Sequence, residues 1–201
     1  TGPLGIGLRP EMLELVAWIR EHTDSSARIL FEDQLRLLEN LDAEAPESLH
    51  WTPLLPLLTN REYIGGLYEM AFIPHNDVSF GDWHLAGRHI RDWTPDELRT
   101  FCDQYNVGWA ITWSRASPLK QGQDRGMPLS TEIFASVSFC EPIGRIRRHT
   151  TRGDENEYTI FRIDREHSYF ARGRGRVERV DYNRIELANL EPEAGELVLR
   201  Y

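Results

Sequence analysis

The stretch Thr94-Pro95-Asp96-Glu97-Leu98-Arg99-Thr100-Phe101-Cys102-Asp103-Gln104-Tyr105-Asn106, followed by Val107-Gly108-Trp109-Ala110-Ile111-Thr112-Trp113, joins a helix signal to a strand signal with no long loop between them. Thr94 suits an N-cap, Pro95 the first helical position and Glu97 the third, which together make a capping box. Leu98, Phe101, Cys102 and Tyr105 then fall at i, i+3, i+4 and i+7, the apolar stripe of a helix packed on a core. Asn106 ends the helix, and Val107 to Trp113 reads as a buried strand. A capped helix feeding a buried strand is the repeating unit of α/β architecture.

Working outward, the same alternation continues upstream. Residues 9–22 read as a helix, with Pro10 at its start and Met12, Leu15, Val16 and Ile19 on one face. Ala27 to Phe31 is an apolar run of strand length. Leu35, Leu38 and Leu41 predict a two-turn helix, and residues 51–66 a short helix and then a strand near Glu62-Tyr63-Ile64. Residues 67–92 show no sustained period and read as one long connection, a length usually reserved for functional or mobile loops. Downstream, residues 115–128 read as loop, and Ser130 and Thr131-Glu132 open a helix to about Phe139. Ile143 to His149 and Tyr158 to Ile163 predict antiparallel strands across a turn at Thr151-Arg152-Gly153-Asp154.

From residue 166 the pattern is all β, with strands at Val177 to Asp181, Arg184 to Leu190 and Glu196 to Tyr201. The basic run Arg172 to Arg176 reads as an exposed turn. The fold class expected is α/β (α+β): a three-layer α/β unit over residues 1–165, then a partial antiparallel β-sandwich over residues 166–201.

Composition narrows the function. The chain has 201 residues, 40% hydrophobic and 27% charged, which suits a folded domain with a sizeable core. Its formal charge of −9 disfavours general nucleic-acid binding, which needs a basic footprint, and docking of the whole surface on anionic lipid. Lys120 is the only lysine, in a polar stretch that reads as exposed loop. Cys102 and Cys140 form no zinc framework and sit in apolar patterns, so buried free thiols are expected. No signal peptide and no run of 18 apolar residues is present. Both ends read as cut, so the chain is expected to be part of something longer.

The densest chemical signal is Pro74-His75-Asn76-Asp77-Val78-Ser79-Phe80-Gly81-Asp82-Trp83-His84. His75, Asp77, Asp82 and His84 are residue types that hold zinc or manganese. On an extended backbone each His-x-Asp pair shares a face. Gly81 and the mixed polarity instead mark a loop, and no rigid helix supplies a ligand. No metal or cofactor is therefore expected. The stretch reads either as a solvated loop with Phe80 and Trp83 packed down, or as a loop whose His75, Asp77, Asp82, Trp83 and His84 meet a ligand.

Elsewhere, Glu32-Asp33 follow the first strand at its carboxyl end, where α/β sheets bind ligands. Asp33 reads better as a cap for the next helix. Pairing Glu32, Asp33, Asp77 and Asp82 for glycoside hydrolysis has no support from spacing. Gly65-Gly66 reads as a tight turn, because no phosphate-loop pattern follows. No serine sits in a nucleophile elbow.

Four segments in order, "ARILFED", "LLPLLTNREYIGG", "DWTPDELRTFCDQYNVGWAITWS" and "DYNRIELANLEPEAGELVLRY", resemble the extracytoplasmic region of a group of large bacterial and archaeal membrane proteins. These are GT-C-type glycosyltransferases and the pyruvoyl-tetrahydropterin-synthase-related membrane proteins. The likeness runs from about residue 9 to 201 and rests on short motifs rather than a catalytic signature. It implies a domain that is not itself catalytic, since GT-C enzymes place a catalytic acidic residue near their first membrane helices. Its partners would be the transmembrane part of the same polypeptide and a lipid-linked sugar or glycan, with no nucleic acid. No pterin chemistry carries over, because the chain has no His-x-His. Two other readings stand beside this one: a carbohydrate-binding module with Trp83, Trp93 or Tyr182 stacking on a sugar, and a metal-dependent hydrolase built on the His/Asp stretch.

Overall fold

The computed structural model describes residues 8, 10–32, 52–65, 79–81, 83–115, 129–149, 155–181 and 184–200. The expected helix at Leu35 to Leu41 and the turn at Thr151 to Asp154 lie outside them.

Helix α1 (Pro10–His22) buries Met12, Leu15, Val16 and Ile19, the stripe expected from their spacing. Strand β1 (Arg28–Phe31) follows. A 3₁₀ turn at Thr52–Leu54 leads into the short helix α2 (Leu55–Thr59), which ends where Asn60 takes a left-handed φ of 55°. Next come strand β2 (Tyr63–Gly65) and three two-residue strands, β3 (Phe80–Gly81), β4 (His84–Leu85) and β5 (Arg88–His89). A 3₁₀ turn at Ile90–Asp92 joins these to helix α3 (Pro95–Gln104). Strand β6 (Val107–Arg115), helix α4 (Leu129–Ser136), strand β7 (Cys140–His149) and strand β8 (Glu155–Ile163) complete the α/β unit.

The five longer strands of this unit form one mixed sheet in the order β2-β1-β6-β8-β7. β1 pairs in parallel with both β2 and β6, while β8 runs antiparallel to β6 and β7. Strand alternation sends side chains to two cores. Ile29 and Phe31 of β1, Trp109 and Ile111 of β6, and Tyr158 and Ile160 of β8 meet α1 and Leu55 of α2. Leu30, Ala110, Phe161 and Ile163 face the other way, onto Leu98, Phe101 and Cys102 of α3 and Phe134 of α4. The result is the three-layer arrangement read from the sequence, with helices on both faces of the sheet.

The capping box of α3 is complete. The Glu97 N–H donates to Thr94 Oγ1 at 3.3 Å, and the Thr94 N–H donates to Glu97 Oε2 at 2.8 Å. Cys102 and Cys140 are both free and buried. Burial pushes the Cys140 thiol up to about 12 and raises that of Cys102 as well, so both stay protonated.

Beyond the α/β unit the chain is antiparallel β. Strand β9 (Phe170–Arg172) pairs with β12 (Val198–Leu199), and β10 (Arg174–Asp181) pairs with β11 (Arg184–Glu191). The two ladders touch where Phe170 and Leu190 close over Gly175, leaving no room for a Cβ there. This fits a partial sandwich. One correction concerns Arg172 to Arg176: only Gly173, at φ +77°, turns the chain, and Arg174 to Arg176 belong to β10. Alternating glycine masks the strand signal because it supplies no side chain to alternate.

Polar side chains fasten this segment to the amino ends of the parallel strands. Arg165 Nε donates to Asp103 at 2.9 Å and its Nη1 to Asn106 Oδ1 at 2.8 Å. Arg28 pairs with Glu62 at 2.8 Å and lies 5.3 Å from the centre of the Tyr169 ring. The His167 ring rests on Trp109, with 4.6 Å between ring centroids.

Candidate functional site

Residues 79–92 depart most from the sequence reading. In place of an irregular connection, β3, β4 and β5 form a three-stranded antiparallel meander. Phe80 faces Leu85 and Gly81 faces His84; Leu85 faces Arg88 and His84 faces His89. Strands of two residues are too short for a period of two to show in sequence, which is why no period was visible. Ala86 and Gly87 both have positive φ, 51° and 72°, the type I′ pattern of a tight hairpin.

The meander is anchored from below. Phe80, Leu85 and Ile90 recur every fifth residue and are each at most 1% exposed. Phe80 packs on Phe134 of α4, with ring centroids 5.9 Å apart. It also sits against Gly65 at the end of β2. A Cβ on Gly65 would stand 2.3 Å from the Phe31 carbonyl oxygen and 3.2 Å from Phe80 Cβ, and φ is +77°, so only glycine fits. Two backbone bonds tie the meander to itself: the Ala86 N–H donates to Ser79 O at 2.8 Å, and the Ile90 N–H to Trp83 O at 2.7 Å.

The outward side carries the polar and aromatic groups. Trp83 takes a left-handed φ of 64° and is 39% exposed. Phe80 thus packs down as expected, and Trp83 does not. His84 is exposed, with its ring 5.2 Å from that of its cross-strand neighbour His89 at an interplanar angle of 88°. Arg88, paired with Leu85, starts from the opposite face to His84 and His89; its guanidinium pairs with Glu97 at 2.9 Å, donates to the Asp92 carbonyl and lies 5.2 Å from the centre of the Trp93 ring. The Arg88 bond, then the Thr94 amide and hydroxyl, hold the Glu97 carboxyl down at about 2. Trp93, half-buried against Phe101, is covered on one face by Arg88 and is less open to a ligand than Trp83.

Of the five candidate ligand contacts, Trp83 and His84 are therefore neighbours on the meander, while His75, Asp77 and Asp82 lie outside the described residues, as does Tyr182. Among the described residues no group of three or more His, Cys, Asp or Glu is arranged to hold a metal ion. Sequence reasoning missed His89, Arg88 and the anchoring row. The fivefold spacing of Phe80, Leu85 and Ile90, with Ala86-Gly87 between the last two, was the available signal.

A second candidate lies at the carboxyl end of β1. The neighbours of β1 in the sheet, β2 and β6, follow it on opposite sides, which makes this a topological switch point. Glu32 stands there as expected, 3% exposed. Its backbone N–H donates to Ile111 O at 3.0 Å, and its carboxylate accepts from Ser130 Oγ at 2.5 Å. Thr112 and Thr131 hydroxyls bond at 2.7 Å beside it. These contacts fix the first turn of α4 to the sheet, and a carboxylate at a helix N-terminus is favourable in itself. Asp33 lies outside the described residues.

Compared with protein-family models, with curated proteins and with solved structures, the chain matches none. No helix among the described residues is long and apolar enough to cross a membrane.

Proposed function

We propose that this chain is a non-catalytic binding domain that serves a polytopic, glycosyltransferase-like membrane protein on its extracytoplasmic side, helping to hold an acceptor or a lipid-linked sugar. The observation that carries the binding part of this reading is the meander. Three fully buried side chains hold a two-turn platform, and Trp83 and His84 stand on its open side. An indole offers an apolar face to the C–H side of a pyranose ring, and imidazoles supply hydrogen bonds to its hydroxyls. A preformed platform binds better than a loop, because less ordering entropy is lost on binding. The membrane setting rests on the four motifs quoted above. Its partner would be the transmembrane part of the same polypeptide.

The same platform supports the reading as a carbohydrate-binding module, and one set of measurements separates the two. Titrating a broad glycan panel against tryptophan fluorescence should give a saturable change for at least one glycan. A flat response across the panel would remove both. Binding of a lipid-linked sugar in preference to its free glycan favours the membrane reading. Turnover of that lipid-linked sugar by this chain alone would sink the non-catalytic assignment.

A further inference from the structure

We propose that His89 is the hydrogen-bond donor of the meander and that it selects an uncharged glycan presenting an oxygen acceptor. The inference rests on the reading of the meander as a glycan platform and names the residue and the ligand class for it.

The donor role follows from the ring's own bonding. The backbone N–H of Arg91 donates to His89 Nδ1 at 3.3 Å, a contact that also caps the 3₁₀ turn at Ile90–Asp92. A nitrogen that accepts carries no proton, so the neutral ring keeps its hydrogen on Nε2. His89 therefore meets a ligand as a donor. Its place is set by register: it lies directly across from His84, and Trp83 precedes His84 in the chain. A metal role for the His84 and His89 pair is disfavoured by the same bond. A ligating histidine ordinarily donates its second nitrogen to an acceptor, whereas here that nitrogen accepts.

The charge balance points to an uncharged ligand. Residues 79–93 contain Arg88 and Arg91 against Asp82 and Asp92, a formal sum of zero. Of the two cations, Arg88 is committed to Glu97, the Asp92 carbonyl and the Trp93 ring. An anionic sugar would find no excess positive field here. A neutral pyranose would find an exposed indole on Trp83 and, across the register from the next residue, an imidazole with an N–H to donate.

The test uses the full chain in three forms: wild type, His89→Gln, which keeps a distal N–H donor, and His89→Leu, which keeps bulk without one. Nitrogen-15 spectra of the histidine side chains in the wild type, recorded at a pH where the ring is neutral, should show His89 protonated at Nε2 and unprotonated at Nδ1. With a panel of neutral methyl glycosides as probe, His89→Gln should bind within about threefold of wild type and His89→Leu about tenfold more weakly. A proton on Nδ1, or wild-type affinity in His89→Leu, would overturn the donor role. Trp83→Ala serves as the reference. If it weakens binding while His89→Leu does not, the platform stands and the donor falls. If the wild type binds no neutral glycoside, this proposal falls, and a uronic-acid panel then decides whether the platform itself survives with an anionic ligand.

Discussion

The meander and the C-terminal ribbon are both antiparallel β structure, and they are held in opposite ways. Each strand of the meander has two residues, yet Phe80, Leu85 and Ile90 are buried to within 1%. Each strand of the ribbon, β10 and β11, has eight residues, and no described side chain on either is buried. The ribbon has many ladder hydrogen bonds and little core beneath it. Net stabilisation per hydrogen bond is about 1 kcal/mol, while a fully buried leucine contributes about 2–3 kcal/mol, and a ribbon of two strands alone is marginal. Ladder length is therefore a poor guide to which segment is rigid. The candidate ligand groups stand on the short, well-anchored segment.

Cutting the anchor should have the largest effect. Leu85→Ala is expected to destabilise the protein by about 3–4 kcal/mol, since the side chain is fully buried. Denaturant unfolding would measure it, and a loss below about 1 kcal/mol would mean the meander is not anchored as described. Gly65→Ala comes next, at about 2–3 kcal/mol, because the added Cβ meets the Phe31 carbonyl and φ is positive. In the ribbon, Leu187→Ala should cost about 1 kcal/mol or less, as Leu187 is only half-buried opposite Val177. Equal losses at Leu85 and Leu187 would break the comparison.

Acid should separate the two regions more gently. Burial, only partly offset by the Ile163 carbonyl and Asp24, lowers the His167 pKa below its ordinary 6.5. The unfolded chain then binds the proton more readily than the folded one. Stability from this histidine is complete above about pH 6.5 and declines as pH falls through that value toward the folded pKa. His167 lies three residues before β9, so amide protection factors in β9 and β12 should fall first on mild acidification. Glu97 beside the meander behaves differently. Its contribution is complete above its ordinary 4.5 and is lost only as pH falls through about 2. Glu97 should therefore contribute no change in the amide protection of residues 83–90 between pH 7 and pH 5. His167→Gln should remove the mild-acid effect at β9. Persistence of that effect in the variant would assign it elsewhere.

What the sequence disclosed follows the length of each element. The ten-residue α3 and the nine-residue β6 carry enough residues for their periods and cap to stand out, and both were legible. α4 was expected to reach Phe139 and stops at Ser136, where Val137 to Phe139 turn the chain into β7 while Val137 and Phe139 stay buried. Burial kept the apolar pattern going after the helix had ended. The meander shows only a fivefold apolar spacing in sequence, because its order comes from tertiary anchoring on Gly65 and Phe134, residues far away in the chain. Trp83 and His84 were singled out for residue type alone. Their neighbour His89 was missed because its role depends on a strand register that only the fold supplies. Glu32 was placed correctly at the end of β1, but its partner Ser130 lies 98 residues away.

The central claim is that the meander is a ready-made ligand platform, and calorimetric titration of wild type and Trp83→Ala with the best glycan of a panel tests it most directly. Trp83 is 39% exposed and is not among the buried residues that hold the meander, so its truncation should leave the melting temperature within about 2 °C of wild type. Affinity should fall about tenfold or more, the loss expected for removing a stacking aromatic face. Unchanged affinity in a folded Trp83→Ala would contradict the account.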